Sequence, residues 1–596
     1  MSGDGYAYML KDTKIRFVSV GDHKTVAATG WTPVLRKPTM NFDPAMSKNE
    51  HVKLAKDGLD VWDDIFRYAK TGFKSIHEDD FPRMRWFGIY QQKPNEGHFM
   101  WRIKIPGGFC TPAQFREMGK LANEYGRGFA DVTTRQDIQL HWMTIENFPD
   151  ALDRVYNQLN MYTDFSCGDT PRNVCGCPLT GIAKNEICDI GNLNQSLSDM
   201  FKAAGKEFSN LPRKFKTTIS ACPLHCHEPQ INDIGVFGVV KPDGRRGLGV
   251  LVGGGLSSTP HFGQSLRYFI PQDKIQEQIP KIFWHTCAIF RDADELRYKR
   301  KRARLKFLVA DKGWQWFRDE LEKRMGFSPE YDEEIVNPRG ALHTDHMGIG
   351  EQKDGNFYVG IPIERGRITA DQMIIAADLA EKYASSGLAQ VRLSLKQNIM
   401  LTNIPKQNVQ ALVKELESAG LSPNAPLWRQ SLVSCTGTQF CNLAVVETKQ
   451  RAHGILKYLE EQVELDSPIM ISVSGCPNAC AQYQIADIGL TGTKAPWEGV
   501  KGDAYDLLVG GCFGENPEFG QEVAAKVPSP IVHKVIESIV RNYKTNRMVT
   551  IDGDVETFRD FVGRQPIETL RTFAKIPEWT PAPPRGKRDI EENRTA

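Results

Sequence analysis

Two stretches of this chain, ISACPLHCHEPQINDIGVFG at residues 219–238 and ISVSGCPNACAQYQIADIGLTG at residues 471–492, are versions of one sequence. Each contains a Cys-x3-Cys pair at the same place, Cys222–Cys226 in the first and Cys476–Cys480 in the second. A second matching block follows each stretch, as LVGGGLSSTPHFGQ and then as LVGGCFGENPEFGQ. Blocks repeated in the same order predict an internal duplication.

A smaller module is repeated ahead of each of these stretches. HFMWRIKIPGG from His98 is followed by TPAQFREMGKLANEYG and DVTTRQDIQLHWM, and NFYVGIPIERG from Asn356 is followed by TADQMIIAADLAEKYASSG and QVRLSLKQNIMLTNI. The apolar spacing predicts strand, helix and strand in both copies, with Thr111 and Thr369 as helix N-caps. The order is therefore a-b-a′-b′, and we expect an α+β fold arranged around a pseudo-two-fold axis.

The composition is ordinary for a globular protein. The chain has 596 residues, a length that predicts roughly four domains. Hydrophobic residues make up 40% and charged residues 25%, as in ordinary soluble globular proteins. Its 75 Lys and Arg residues nearly balance 73 Asp and Glu residues, so no net charge favours nucleic acid or an anionic membrane. Without a spanning apolar run or a signal peptide, and with only 13 cysteines, we expect a cytoplasmic protein whose cysteines are metal ligands or reduced core residues.

Four cysteines of the second copy carry the strongest chemical signal. Cys435-TGTQF-Cys441 is followed by Cys476-PNA-Cys480, and a helix starting at Pro477 would place the last two thiolates on one face. Zinc sites favour C-x2-4-C pairs, which the five-residue gap fits poorly. A [4Fe–4S] cluster fits better; the alternative is four reduced cysteines without metal.

The first copy keeps only part of this pattern. Cys222 and Cys226 are repeated, whereas Cys175 and Cys177 stand only two residues apart. We expect no cluster here and interpret these cysteines as a remnant of the duplication, packed as small apolar residues. A metal site formed by Cys222, His225, Cys226 and His227 is the alternative.

Basic residues distinguish the first copy from the second. Arg102 aligns with Gly360, and Lys214 and Lys216 align with Pro468 and Met470. On an extended segment both lysines point to one face and can converge on a small anion. The asymmetry indicates that one copy supplies thiolates and the other cations; the alternative for each residue alone is solvated surface charge.

These motifs resemble the sirohaem-dependent sulfite and nitrite reductases, a family of single-chain, ferredoxin-dependent enzymes. The resemblance rests on C-x5-C with C-x3-C, TTRQDIQLH, GDTPRNV, LPRKFK and the duplication, and it extends from Phe81 to Arg571. It implies ferredoxin-like half-domains and two cofactor-binding α/β modules. It also implies that Cys435, Cys441, Cys476 and Cys480 hold a [4Fe–4S] cluster, with Cys480 as the axial ligand of sirohaem.

The resemblance assigns roles to the basic residues as well. Arg102, Arg172, Lys214 and Lys216 are expected around the substrate, and Arg135 at the carboxylates of the macrocycle. The implied reaction is the six-electron reduction of sulfite to sulfide, or of nitrite to ammonium. Nitrite reductases of the family commonly have Asn where this chain has Lys216, which favours sulfite.

A further implication concerns Cys167, which some sulfite-reducing relatives link covalently to a tyrosine. The partner here would be Tyr90 in RWFGIYQQ. The alternative is an unlinked thiol beside an ordinary aromatic ring.

The electron donor is inferred from what the sequence lacks. No G-x-G-x-x-G turn for a flavin or nicotinamide domain is present, and Gly253–Gly255 is better interpreted as a tight turn after a strand. We therefore expect ferredoxin or a similar one-electron carrier. We also expect a monomer, because the two halves can bury the face that they share. The basic run YKRKRARLK at residues 298–306 is interpreted as a solvated or cofactor-facing helix, with docking of an acidic carrier or RNA as alternatives.

Two rival functions are less consistent with the sequence. A zinc-stabilised nucleic-acid-binding protein would need a basic domain and shorter cysteine spacing. A relative that uses its cluster for corrin-ring chemistry should lack part of the basic set.

Six segments are predicted. They are an N-terminal extension at 1–80, a ferredoxin-like half-domain at 81–160, a sirohaem and substrate module at 161–330, a second half-domain at 345–415, a 4Fe–4S and sirohaem module at 425–575, and a C-terminal tail at 576–596.

Overall fold

The computed structural model describes residues 43–92, 94–339, 345–549 and 553–581. Most of the predicted N-terminal extension and C-terminal tail lies outside this range. The described part of the extension is helical, and Trp62 and Ile65 are buried against the first half-domain. Its helices are α1 (Lys48–Ala55), α2 (Trp62–Thr71) and α3 (Asp80–Arg83).

The first half-domain follows directly. Its strands and helices are β1 (Ile89–Gln91), β2 (Phe99–Ile103), β3 (Phe109–Cys110), α4 (Pro112–Tyr125), β4 (Phe129–Val132), β5 (Ile138–Met143) and α5 (Phe148–Asp153). The N-cap predicted at Thr111 is confirmed. Its hydroxyl oxygen accepts a hydrogen bond from the backbone N–H of Gln114, and the Gln114 side-chain oxygen accepts one from the backbone N–H of Thr111.

The first cofactor module is a seven-stranded sheet covered by helices. Its elements are β6 (Pro171–Cys175), α6 (Leu193–Ala204), β7 (Phe215–Ser220), β8 (Ile234–Val240), β9 (Arg246–Val252), β10 (Gln264–Ser265), β11 (Tyr268–Pro271), α7 (Ile275–Arg291), α8 (Leu305–Lys312), α9 (Trp314–Met325) and β12 (Glu330–Tyr331). Strands β6, β7 and β8 are parallel, so their carboxyl ends share one edge. The turn predicted after β9 is confirmed by the positive φ of Gly253.

The second half-domain repeats the first. Its elements are β13 (Gly348–Glu351), β14 (Phe357–Ile361), β15 (Arg367–Thr369), α10 (Ala370–Tyr383), β16 (Gln390–Leu393), β17 (Ile399–Ile404) and α11 (Val409–Ser418). Thr369 caps α10 with the same reciprocal bonds to Gln372, which confirms the second predicted N-cap.

The second cofactor module repeats the parallel edge. Its elements are α12 (Leu427–Gln430), β18 (Leu432–Ser434), α13 (Lys449–Gln462), β19 (Ile471–Ser474), β20 (Ile488–Trp497), β21 (Val500–Val509), β22 (Gln521–Pro528), α14 (Val532–Asn546), α15 (Phe558–Arg564) and α16 (Ile567–Phe573). Strands β18, β19 and β20 are parallel, as β6, β7 and β8 are.

The two half-domains exchange strands. Strand β3 of the first copy pairs with β16 of the second, and β15 of the second copy pairs with β4 of the first. The helices α4 and α10 pack closely against each other between the two sheets. This reciprocal arrangement is the pseudo-two-fold expected of an a-b-a′-b′ duplication, and the α+β class is confirmed.

The two Cys-x3-Cys segments form the same turn rather than a helix. His225 and Ala479 occupy equivalent positions and have φ of 50° and 54°, and Glu228 and Gln482 have φ of 56° and 62°. A residue at positive φ cannot continue an α-helix. The helix predicted to start at Pro477 is therefore wrong; the cysteines converge because the chain turns back, not because they share a helix face.

The region between the copies also differs from expectation. The charged stretch at 298–306 is not one helix: it consists of short turns until α8 begins at Leu305. The linker around 337–355 contributes β13 to the second half-domain sheet. Among the described residues, no helix is both long enough and apolar enough to cross a membrane.

Candidate functional site

The four cysteines of the second copy lie at the carboxyl ends of β18 and β19. Cys435 follows β18, and its sulfur accepts the backbone N–H of Gly475 at 3.1 Å. Cys476 follows β19 in the parallel neighbouring position. Cys441 and Cys480 complete the group from the turns that follow these two residues.

Ionisation of these thiols is opposed by their surroundings. Burial, with a smaller contribution from the nearby Cys480, raises the pKa of Cys435 to about 12. Burial and Cys480 also raise the pKa of Cys441 and of Cys476. Thiolates within electrostatic range of one another are stabilised by positive charge between them, which an iron–sulfur cluster provides.

Cys480 connects the two copies of the duplication. Its side chain is exposed, and its carbonyl oxygen accepts the Thr134 hydroxyl of the first half-domain at 3.1 Å. Its sulfur is near enough to raise the pKa of Arg102, Lys214 and Lys216 against the effect of burial. The cations of one copy and the thiolates of the other therefore meet at a single site.

Lys214 and Lys216 form the cationic wall of this site, around the start of β7. Burial, together with the positive charges of Lys216 and Arg304, lowers the pKa of Lys214 well below its ordinary value. Burial, Arg135 and Arg304 lower the pKa of Lys216 to about 8. Within the described part of the chain, neither ammonium group has a hydrogen bond or ion pair to the protein. An anionic ligand would supply the missing partner.

Arg102 extends from β2 toward the same site. One of its terminal nitrogens donates to the Cys167 sulfur at 3.0 Å, its Nε lies 3.8 Å from an Asp137 oxygen, and its Cζ lies 6.0 Å from the centre of the Tyr90 ring. Arg102 thus lies beside both of the residues predicted to cross-link. Cys167 is a free thiol here, and the link stays a prediction.

Arg135 and Arg172 are already partly engaged by the protein. Arg135 donates to the Asn232 side chain at 3.0 Å and to the Asn173 and Thr217 carbonyls, and Arg172 donates to the carbonyls of residues 166 and 168. The Nε atoms of both arginines are buried and have no hydrogen-bond partner among the residues that the structure describes. Arg172 therefore also fixes the turn that carries Cys167.

Two further residues, which sequence reasoning did not single out, position the lysines. Asp233 accepts the backbone N–H of Lys216 at 2.7 Å, and Arg304 binds both oxygens of the same carboxylate. The second copy repeats the first of these bonds, from the Met470 N–H to Asp487 at 2.8 Å. The signal for Arg304 lay in the basic run 298–306, which the helix interpretation obscured.

Comparison with known proteins follows the same division of the chain. A model of the nitrite and sulphite reductase 4Fe–4S domain matches residues 167–328 and 429–551, and one of the nitrite/sulfite reductase ferredoxin-like half domain matches residues 90–157 and 350–419. The chain belongs to the nitrite and sulfite reductase family.

Similar proteins carry both activities in their names. A sulfite reductase [ferredoxin] 2 of Mycolicibacterium paratuberculosis is 33% identical over 89% of this chain and 97% of its own length. An assimilatory ferredoxin-dependent nitrite reductase of Haloferax mediterranei is 33% identical over 87% and 91%. The structure of Mycobacterium tuberculosis NirA superposes with a TM-score of 0.81, at 32% identity, over 88% of this chain and 98% of that one. The chain is thus an oxidoreductase of this family.

Members of the family contain sirohaem and a [4Fe–4S] cluster, and the residues present here fit both groups. Four cysteines follow two neighbouring parallel strands, and one of them, Cys480, is exposed and lies within electrostatic range of Lys214 and Lys216. Unpaired ammonium groups and the orphaned Nε atoms of Arg135 and Arg172 are what a macrocycle with eight carboxylates requires nearby. Cys435, Cys441, Cys476 and Cys480 would hold the cluster, and Cys480 would also hold the sirohaem iron.

Proposed function

We propose that this enzyme reduces sulfite to sulfide with six electrons, delivered by ferredoxin or a similar one-electron carrier. The observation that carries the proposal is the convergence of unpaired Lys214 and Lys216 with Arg102 on exposed Cys480. When bound, sirohaem coupled to the cluster would supply the electrons for this reduction. The residues of this chain bind the anion, orient it and supply protons.

Each basic group contributes in a way that suits its chemistry. Arg102 presents planar donors that match the oxygen atoms of an oxyanion. Lys214 and Lys216 add positive charge in a desolvated pocket, where such charge stabilises developing negative charge most strongly. A lysine with a pKa of about 8 is protonated at neutral pH yet releases its proton readily, so Lys216 is suited to protonate oxygen atoms as S–O bonds break.

Nitrite reduction to ammonium with the same cofactors is the second candidate. Relatives named for either substrate are equally similar to this chain, at 33% identity. We favour sulfite because Lys216 occupies a position that is commonly Asn in the nitrite reductases. A doubly charged sulfite ion also gains more from a second ammonium group than singly charged nitrite does.

We further infer a cytoplasmic monomer. All thirteen cysteines lie among the described residues and are unpaired, which is typical of a reducing compartment. The two copies bury their shared face against each other through the exchanged strands, which leaves no need for a second chain.

The decisive experiment uses anaerobically purified enzyme. We expect a sirohaem absorption spectrum, stoichiometric iron and acid-labile sulfide, and faster turnover of sulfite than of nitrite with reduced ferredoxin. Colourless protein without acid-labile sulfide would contradict the proposal, and a kcat/KM that favours nitrite would contradict the choice of substrate.

The binding of anions is expected to weaken as the pH rises through about 8. Lys216 has a lowered pKa, so its charge is present below about 8 and is lost above it. Nitrite is the better substrate for this measurement because it does not change charge near neutral pH. We expect KM for nitrite to rise up to roughly tenfold per pH unit above this point and to rise less steeply in Lys216→Asn, where Lys214 can still titrate; an identical rise in the variant would assign the titration elsewhere.

A further inference from the structure

A second group of sulfur and nitrogen ligands lies in the first copy, apart from the four cysteines assigned to the cluster. Its members are Cys177, Cys222, Cys226 and His346, whose ligand atoms all lie within 4.8 Å of one another. The cysteines follow the parallel strands β6 and β7, and His346 comes from the linker just before β13. Within the described ranges, no other group of three or more His, Cys, Asp or Glu ligands converges so closely.

The duplication relates this group to the iron–sulfur cysteines. Cys222 and Cys226 correspond directly to Cys476 and Cys480. In the sheets, Cys175 lies opposite Thr218 just as Val433 lies opposite Ser472, so Cys177 corresponds to Cys435. Three of the four thiol positions are thus conserved between the copies. The fourth member of the group, His346, has no counterpart among the iron–sulfur cysteines and contributes an imidazole.

The spacing of these atoms matches a single tetrahedral ion. The sulfurs of Cys222 and Cys226 are 3.9 Å apart, and His346 Nε2 lies 3.3 Å from the Cys177 sulfur and 4.0 Å from that of Cys222. Zinc bonded to sulfur at about 2.3 Å and to nitrogen at about 2.0 Å sets sulfurs about 3.8 Å apart and nitrogen about 3.6 Å from sulfur. A cubane of four irons would hold its ligands further apart.

The surroundings are those of a closed metal site. Cys177, Cys222 and Cys226 are buried in an apolar cluster that includes Leu179 and Met400. The Leu179 N–H donates to the Cys177 sulfur at 3.3 Å, a contact that stabilises a bound thiolate.

A buried cation lies beside this site. The guanidinium of Arg392 donates to the carbonyls of Pro178 and Thr180, in the loop that follows Cys177. Its positive charge offsets the net negative charge of a site in which three thiolates surround one divalent ion.

The Cys222-x3-Cys226 spacing is also typical of zinc pairs. The alternative set of Cys222, His225, Cys226 and His227 is not the one that converges in the structure, where His346 and Cys177 complete the group instead. His227 Nε2 is bonded to the Val236 carbonyl at 2.9 Å, and the His225 ring packs edge-on to Phe237. Thiolate and imidazole ligands without carboxylates favour zinc over magnesium, calcium or manganese. We propose that Cys177, Cys222, Cys226 and His346 bind one structural zinc ion, separate from the iron–sulfur cluster.

The ion joins parts of the chain that are distant in sequence. The His346 backbone runs over Gly360 of β14, where a Cβ atom would come within 2.0 Å of the His346 carbonyl oxygen. The preceding Asp345 accepts a hydrogen bond from Asn398 at 2.9 Å. The zinc thus fastens the first cofactor module to the second half-domain.

The turn that carries Cys222 and Cys226 also reaches the active site. Two residues further on, the Glu228 carboxylate pairs with Lys396 at 2.5 Å and accepts a bond from Gln482, which lies two residues beyond Cys480. We expect loss of the ion to loosen this connection.

The test is the metal content of anaerobically purified, iron-loaded enzyme from zinc-replete medium. We expect about one zinc per chain in addition to the iron, and a zinc X-ray absorption edge that fits three sulfur ligands and one nitrogen ligand. This measurement on the unaltered protein needs no variant. Zinc below about 0.2 per chain, or a zinc shell of four sulfurs or of oxygens, would overturn the proposal.

Variants assign the ion to these residues. His346→Ala should lower zinc about tenfold, with iron and acid-labile sulfide unchanged, and His346→Cys should retain zinc with four sulfur ligands. The control is Cys188→Ser. Cys188 is a buried thiol that donates to the Gly247 carbonyl, and a serine hydroxyl can make the same bond, so this variant should keep its zinc. Zinc unchanged in His346→Ala would contradict the site, as would parallel loss of iron, which would place the zinc at the cluster.

Discussion

Cys480→Ser is expected to lower sulfite turnover by about three orders of magnitude, equivalent to roughly 4 kcal/mol of transition-state stabilisation. Cys480 is the exposed member of the four cysteines proposed to hold the cluster, and its sulfur lies within electrostatic range of Arg102, Lys214 and Lys216. A serine oxygen is a poor ligand for iron that prefers thiolate, so the cluster and the adjacent cofactor should both be disturbed.

The measurement combines turnover with the absorption spectrum and the acid-labile sulfide content. Cys188→Ser makes the same sulfur-to-oxygen change at a buried thiol outside the site and should leave all three near wild type. If Cys480→Ser kept more than about a tenth of the turnover and a wild-type spectrum, Cys480 would not be the residue that joins the two centres.

Lys216→Asn is expected to change the ratio of kcat/KM for sulfite to that for nitrite by about 10- to 100-fold, toward nitrite. The substitution removes one of two ammonium groups that have no partner within the described chain, and the doubly charged substrate depends on that charge more. The amide still fits the position and can donate hydrogen bonds to the smaller anion.

Both substrates must be assayed with the same electron donor, so that electron delivery cancels in the ratio. Lys299→Asn removes an equal charge from the exposed part of the nearby basic run and serves as the control. An unchanged ratio in Lys216→Asn would show that this residue does not select the substrate.

The sequence alone was sufficient for the architecture and the family because both depend on patterns that repeat. The duplication, the two capping threonines and the cysteine spacing can all be read directly from the order of residues, and the structure bears out the first two. The cofactors follow from the family to which the chain belongs.

What sequence reasoning missed depends on backbone geometry and on distance along the chain. The positive φ of Ala479 turns a segment with helical spacing into a reversal, and no apolar period reports that angle. His346 was missed because it stands far from the cysteines that it meets. Arg304 was missed because a run of charges looks alike whether it faces solvent or an internal carboxylate such as Asp233.

The exchanged strands have a consequence for biosynthesis. Neither half-domain covers the edge of its own sheet. The edge strand β4 of the first copy pairs with β15 of the second, and the edge strand β16 of the second copy pairs with β3 of the first. The amino-terminal copy must therefore leave the ribosome with an open β edge and stay unfinished until the carboxy-terminal copy has been translated. Unpaired edges of this kind attract other chains, so the nascent polypeptide is expected to depend on chaperones for longer than a protein of four independent domains would.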